Sequence, residues 1–138
     1  MMDVYVLDAC ALIAAIEGEP GYSVVHSLFA QSAKGEISLK INKVNLLEVY
    51  YDAIRRHGTA EADRMLANMA RSPVGVTAVF SNQALREAGR LKTSFKISIA
   101  DSIALAEAAV HDGCLVTSDH HEFDAIEKNG QIKFFWIR

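Results

Sequence analysis

The sequence predicts an α/β protein in which a central parallel sheet of four to five strands is flanked by helices. Short runs of apolar, β-prone residues alternate with segments of helical periodicity, in the order β-α-α-β-α-α-β-α-α-β-α-β. The sequence lacks the tight-turn signals that would join neighbouring strands as hairpins. It also lacks linkers, internal repeats and low-complexity stretches, so residues 1–138 are expected to form a single domain.

The first strand is predicted at Val4–Leu7, because a continuous apolar run is typical of a strand buried on both faces of a parallel sheet. Asp8 follows where the strand ends, and Ala9–Ile16 has the pattern of a helix. Aspartate is a favoured helix N-cap. The same position lies at the carboxyl end of a central strand, where ligands bind in open α/β sheets. A capping role and a ligand-binding role are therefore both open for Asp8.

The second strand is followed by a helix that carries an unusual carboxylate. Residues 37–41 alternate apolar and polar side chains, which indicates a strand less buried than the first and nearer an edge of the sheet. Asn42 is a candidate cap for the next helix, whose broad apolar face is interrupted by Glu48. Asn45 lies three residues before that acid, on nearly the same face. An exposed helix acid and a functional carboxylate are both open interpretations of Glu48.

Two further acids occupy comparable places later in the chain. A third strand is predicted at 74–79, and Asp101 then lies in the first turn of a helix that is apolar nearly all round. Such a helix is typically buried in the centre of a domain. Cys114–Val116 predicts a fourth, buried strand, and Asp119 follows its end. A short helix and a closing strand at 132–137 complete the pattern.

The composition is that of a globular protein with short loops. Hydrophobic residues make up 51% of the chain, whereas it has only 8 Gly and 2 Pro. The formal net charge of −3 argues weakly against a nucleic-acid partner, although a cluster of acids would hide a local basic face. Cys10 and Cys114 are expected to be buried, reduced thiols. Because the sequence has neither a signal-peptide core nor an apolar run of ~20 residues, a cytoplasmic protein without a membrane segment is expected.

Topology alone brings three acids to one edge of the predicted sheet. Asp8 and Asp119 each follow a buried strand, and parallel strands end at the same edge. Asp101 begins the helix that leads into the fourth strand. That helix runs antiparallel to the strand, so its first turn lies at the same edge. Glu48 joins this group only if its helix passes nearby.

Carboxylates gathered in a partly dry cleft raise one another's pKa and need a cation in order to stay ionised together. Oxygen ligands in this number suit Mg²⁺ or Mn²⁺, and the absence of His from the four positions argues against zinc. A site of this kind suits phosphodiester hydrolysis, in which bound metal generates hydroxide and stabilises the leaving oxygen. The sequence contains no P-loop and no recognisable Ser-His-Asp set. It also lacks the second Asp that an aspartyl-phosphate phosphatase would place two residues after Asp8.

The order of four short motifs resembles that of the PIN-domain nucleases, and within them the VapC-type toxins of toxin–antitoxin pairs. These motifs are Leu7-Asp8, residues 45–51 (NLLEVYY), residues 99–106 (IADSIALA) and residues 115–120 (LVTSDH). Each motif is short and weak. Their order, spacing and placement on strands or helices are more specific, and the resemblance covers essentially the whole chain.

This resemblance implies a Mg²⁺- or Mn²⁺-dependent endoribonuclease built on a single PIN-like domain. The implied catalytic set is Asp8, Glu48, Asp101 and Asp119. Asp8, Asp101 and Asp119 would hold metal, and Glu48 would complete the site or orient water. Asn45, Thr117 and Ser118 are expected to support these acids. The resemblance further implies an RNA substrate, a homodimer and a small cognate antitoxin.

Several alternatives stay open at the level of sequence. Lys92 and Lys96, with Arg86 and Arg90, could form a basic rim that contacts RNA, or simply a solvated face. Arg55 and Arg56 are a second candidate for such contacts. Asp124 could supplement the acids, although a surface helix acid is the simpler interpretation. A stand-alone RNA-processing nuclease and a catalytically silent protein-binding module are alternatives to the toxin.

Overall fold

The computed structural model describes residues 2–138 as one α/β unit with five strands and seven helices within that range. Element order follows the predicted pattern throughout. The elements are β1 (Asp3–Leu7), α1 (Ala9–Glu17), α2 (Tyr22–Ala33), β2 (Ile37–Asn42), α3 (Lys43–His57), α4 (Thr59–Ala70), β3 (Val74–Thr77), α5 (Asn82–Ser94), α6 (Ile99–Val110), β4 (Cys114–Thr117), α7 (His120–Asn129) and β5 (Lys133–Trp136).

The five strands form one parallel sheet in the order β3-β2-β1-β4-β5. β1 occupies the centre, where Leu7 pairs in register with Ile41 of β2 and with Val116 of β4. From β1 the chain first builds outward through β2 and β3 and then crosses to the other side for β4 and β5. The strand order thus reverses between β1 and β4, and ligands bind at such switch points.

The second strand lies nearer an edge than β1, as predicted, but the prediction that it is less buried than the first is wrong. β2 lies between β1 and β3, and the edge strands are β3 and β5. The apolar side chains of β2 are fully covered, whereas Ser38 and Lys40 on its other face are half-buried. Its alternation therefore reports incomplete cover over one face of the sheet. Two strands are also shorter than predicted, since β3 ends at Thr77 and β5 covers only Lys133–Trp136.

Two apolar cores cover the two faces of the sheet. Val6 and Leu7 are both 0% exposed and point to opposite faces, as the period of a strand requires. Leu7 packs in the core that includes side chains of α1 and α2, whereas Val6 packs with Leu105 and Phe123 from α6 and α7. Residues 102–108 of α6 are all buried, which confirms the predicted central helix.

Among the helices of residues 2–138, none combines the length and the apolar character needed to cross a bilayer.

Candidate active site

Asp8 acts as a helix cap and also faces a cleft. Its carboxylate accepts a hydrogen bond from the backbone N–H of Ala11 at 2.8 Å, and this bond caps α1. The other carboxylate oxygen accepts a hydrogen bond from the Thr117 hydroxyl. Asp8 is only 4% exposed. Burial raises its pKa to about 7, and the carboxylates of Asp101 and Asp119 add to this shift, whereas the two hydrogen bonds oppose it.

Thr117 connects Asp8 with Asp119 across the switch point. Its buried hydroxyl donates to Asp8 and accepts a hydrogen bond from the backbone N–H of Asp119 at 3.0 Å. The Asp119 carboxylate then caps α7 by accepting from the N–H of Glu122 at 3.1 Å. Ser118, also buried, lies with its hydroxyl oxygen 2.7 Å from the sulfur of Cys10. Both cysteines are free thiols, as expected, although they are only half-buried.

Asp101 lies in the first turn of α6, as predicted. Its backbone N–H donates to the hydroxyl of Ser98, which caps the helix, at 3.0 Å. The pKa of Asp101 is raised to about 6, mainly by burial, with smaller contributions from the nearby carboxylates of Glu48, Asp119 and Glu122. The hydrogen bond with Ser98 opposes this shift.

Glu48 reaches the same cleft because α3 packs against α6. Its carboxylate is half-buried, which raises its pKa, while the neighbouring Asn45 amide opposes the shift. Asn45 is 0% exposed, and its side-chain N–H donates to the carbonyl of Ala100 at 3.0 Å, one residue before Asp101. Asn42 caps α3 and also donates to the buried carboxylate of Glu107 on α6 at 3.2 Å. These two contacts fix α3, and with it Glu48, against the helix that carries Asp101.

All four predicted acids line one open cleft of about 690 Å³. The structure therefore brings together residues from the ends of β1 and β4, the start of α6 and the middle of α3. The charged lining also includes side chains of both signs beyond the predicted acids: Asp52, Glu122, Arg55, Lys92 and Lys96.

The donor set fits a hard divalent cation that keeps much of its water. Within residues 2–138, no three His, Cys, Asp or Glu side chains lie close enough together to form a ready-made three-ligand site. Mg²⁺ is commonly held by one or two carboxylates, several waters and substrate phosphates. The open cleft is lined by carboxylates, and Asp8 and Asp101 are partly protonated near neutral pH. These features fit a partly hydrated Mg²⁺ better than a site in which protein groups supply every ligand.

Sequence reasoning missed two acids of the cleft, Asp52, which pairs with Arg56 at 2.9 Å, and Glu122. Glu122 contributes to the raised pKa of Asp101. The spacing of Asp119 and Glu122 is that of a capping box, in which the Glu side chain would bind the N–H of the cap residue. Here that N–H donates to Thr117, so the Glu122 carboxylate is not needed there. The predicted alternative, Asp124, is exposed and lies outside the cleft lining, where it pairs with His120 at 2.9 Å.

The predicted basic residues separate into two groups. Lys92 and Lys96 line the cleft, and the Lys92 ammonium donates to the carbonyl of Ile97 at 2.6 Å. Arg55 also lines the cleft, with its guanidinium 4.9 Å from the centre of the Tyr51 ring. The other arginines lie elsewhere: Arg56 is paired with Asp52, Glu17 and Glu19, and Arg86 and Arg90 line a separate pocket beside Glu87.

Fold and cleft together define a single-domain α/β protein with an acidic site at the switch point of a parallel sheet. The sequence pattern of the PIN domain matches residues 5–129, so the chain belongs to the PIN domain family. The resemblance stated from the motifs is thus confirmed. No functionally curated protein is significantly similar to the chain in sequence.

Solved structures share the fold over nearly the whole chain. VapBC2 from Rickettsia felis, bound to a DNA fragment from its promoter, matches with a TM-score of 0.78 at 19% identity, over 96% of this chain and 98% of that one. DNA-bound VapBC from Salmonella typhimurium matches with a TM-score of 0.75 at 17% identity, over 100% of both chains. A toxin–antitoxin complex from Klebsiella pneumoniae matches with a TM-score of 0.63 at 20% identity, over 88% of this chain and 92% of that one.

Proposed function

We propose that the chain is a Mg²⁺- or Mn²⁺-dependent endoribonuclease and the toxin of a toxin–antitoxin pair. The observation that carries this proposal is the convergence of Asp8, Glu48, Asp101 and Asp119 on one cleft at the switch point of the sheet. Helix capping explains in part why acids stand at positions 8 and 119, since Asp8 caps α1 and Asp119 caps α7. It does not account for Glu48, which lies in the middle of a helix.

Asp8, Asp101 and Asp119 would hold the metal together with its water ligands. A metal bound there would supply a nucleophilic hydroxide at neutral pH and stabilise the leaving oxygen. Thr117 and the N–H of Ala11 orient the Asp8 carboxylate, so the direction of its free lone pairs is fixed before substrate arrives. Glu48 accepts the proton of the attacking water at its carboxylate. Its raised pKa makes it a better base than an exposed glutamate.

The cations of the cleft supply the binding surface for RNA. Arg55, Lys92 and Lys96 share the lining with the acids, so a phosphate held by them lies beside the carboxylates. Phosphate contacts position a nucleic acid without reading its sequence. This local group of cations explains how a chain with a net charge of −3 binds RNA.

An antitoxin and a second copy of the chain are the proposed protein partners. The antitoxin is supported by the structural neighbours, two of which are VapBC assemblies and one a toxin–antitoxin complex. A homodimer is supported by large apolar side chains that stay exposed on α3, among them Leu47 at 56%.

The test is cleavage of a mixed RNA pool by purified protein in EDTA, Mg²⁺ or Mn²⁺, with two matched variants. Asp101→Asn is expected to lower metal-dependent cleavage by at least about a hundredfold, on the scale of losing one preorganised charged group. Asp112→Asn is expected to cleave like the wild type, because Asp112 is 94% exposed, precedes β4 at the opposite edge of the sheet and lies outside the cleft lining. Cleavage that survives EDTA, or that both variants retain equally, would show the assignment to be wrong.

A further inference from the structure

Four aromatic rings form a continuous row from the core to the carboxyl edge of the sheet. Phe123 is 0% exposed and lies 5.8 Å from Phe134, between ring centroids. Phe134 stacks on Trp136 at 5.3 Å with an interplanar angle of 10°. Trp136 stacks in turn on His120 at 3.8 Å and 11°. The row therefore begins in the core and ends at His120, whose side chain is 49% exposed.

The imidazole ring of His120 is held in place through both of its nitrogens. Nδ1 lies 2.9 Å from the Asp124 carboxylate, and Nε2 lies 2.9 Å from the backbone carbonyl of Arg138. Neither nitrogen is free to ligate a metal or to move a proton. One face of the His120 ring stacks on Trp136, so the opposite face of the ring points outward.

The end of this aromatic row lies beside the acidic cleft and not inside it. His120 directly follows Asp119, which lines the cleft, but His120 itself is outside the cleft lining. On the other side, Trp136 ends β5 at the same carboxyl edge of the sheet. A rigid, half-exposed aromatic face thus lies next to the acids.

We propose that the outer face of His120 is a stacking subsite for one nucleobase of a single-stranded RNA whose scissile phosphate lies in the cleft. This inference rests on the proposed function and adds a base-binding position to it. Aromatic faces bind unpaired bases by stacking, with little preference among the four bases because every base has a flat face. A ring fixed in advance loses little freedom when a base stacks on it.

The test measures binding of a 5′-labelled, randomised 12-nucleotide RNA by anisotropy in EDTA, at several salt concentrations. His120→Gln keeps a polar side chain over Trp136 but removes the ring, whereas His120→Phe keeps a ring. We expect His120→Gln to weaken binding about 5- to 100-fold, and His120→Phe to stay within about threefold of wild type. The salt dependence of His120→Gln should match that of wild type, whereas Lys96→Ala should lower the salt slope by about 1.

A wild-type measurement makes the test independent of how the variants fold. Trp136 is the only tryptophan of the chain, so its emission reports on the aromatic row. Emission should change when the RNA is added and stay constant with an abasic oligonucleotide of equal length and charge. Constant emission with both ligands, or equal losses in folded His120→Gln and His120→Phe, would overturn the stacking subsite. A wild type that shows the stacking signature but cleaves no RNA in Mn²⁺ would overturn the nuclease and leave the subsite standing.

Discussion

A single hydroxyl group, that of Thr117, satisfies polar groups on two of the acids at once. It donates to the carboxylate of Asp8 and accepts from the backbone N–H of Asp119, and it is 0% exposed. Thr117→Val keeps the shape of the side chain but leaves both groups without this partner. Leaving a buried polar group unpaired costs about 1–3 kcal/mol. We therefore expect Thr117→Val to lower the free energy of unfolding by about that amount, measured with urea, and to weaken Mn²⁺ binding in calorimetry.

Thr117→Ser serves as the control, because serine keeps the hydroxyl and removes only a methyl group. It should lose less than about 1.5 kcal/mol and bind Mn²⁺ nearly as well as wild type. If Thr117→Ser weakened Mn²⁺ binding as much as Thr117→Val does, the hydroxyl would not be what orients Asp8.

The raised pKa values of Asp8 and Asp101 predict how stability depends on pH without metal. Burial raises the first pKa from 3.8 to about 7 and the second from 3.8 to about 6. The folded state then binds more protons than the unfolded state between pH 4 and these values. The contribution of these two protonated carboxyl groups to the free energy of unfolding is therefore complete below about pH 4. It is lost as the pH rises through 6 and 7. Each pKa unit corresponds to about 1.4 kcal/mol, so the loss from Asp8 alone amounts to about 4 kcal/mol. Asp101 is partly exposed, and solvent screening makes its contribution smaller.

Urea unfolding in EDTA between pH 4.5 and 8 measures this dependence. As pH rises, the stability of Asp8→Asn should fall less steeply than that of wild type. Asp112→Asn should reproduce the wild-type fall, because Asp112 is 94% exposed and lies outside the cleft. Saturating Mn²⁺ should remove most of the decline, because a bound cation favours the ionised carboxylates. A wild-type stability that rises steadily across this range in EDTA would contradict the raised pKa of Asp8.

At the scale of elements, Asn42 links the start of α3 to α6. Its carbonyl oxygen accepts from the N–H of Val44 at 2.8 Å, and its amide donates to Glu107. Asn42→Ala removes both contacts, and we expect it to lower the free energy of unfolding by about 1–3 kcal/mol. Asn42→Ser keeps a capping oxygen and should recover about half of that loss in urea titrations. Equal losses in both variants would mean that the cap contributes nothing at this position.

The elements that sequence predicted well are those whose signal is local. Continuous apolar runs located β1 and β4. Because parallel strands end at the same edge of a sheet, the sequence was enough to place Asp8 and Asp119 together at that edge. The central position of α6 followed from its apolar character on all sides. The PIN-domain resemblance rested on motifs attached to these same elements.

What sequence reasoning missed depends on contacts between distant parts of the chain. β2 alternates like a half-exposed strand, but how well it is covered depends on where β3 docks, which its own residues do not encode. Glu122 looks like half of a capping box, and only the bond from Asp119 to Thr117 leaves its carboxylate free for the cleft. Whether Glu48 reaches the acids depends on the packing of α3 against α6, which two buried asparagines fix.

At the scale of the whole molecule, an apolar stripe on α3 stays exposed. Val44, Leu47 and Tyr51 are 38%, 56% and 41% exposed, and their spacing places them on one face of the helix. Apolar surface of this kind marks interaction sites, and twofold dimers are the commonest assemblies. The stripe ends at Tyr51, which lines the cleft, so a second copy docked there would border the site.

We therefore expect light scattering after gel filtration to give a mass of about twice 15.1 kDa. Leu47→Lys should raise the dimer dissociation constant by at least about tenfold, because a buried charge without a partner would replace an apolar contact. Leu85→Lys is the matched control, since Leu85 is 54% exposed but lies on α5. A wild-type mass of 15.1 kDa would refute the dimer. A Leu85→Lys variant that dissociates as readily as Leu47→Lys would place the interface elsewhere, because the α3 stripe would then have no special part in holding the two copies together.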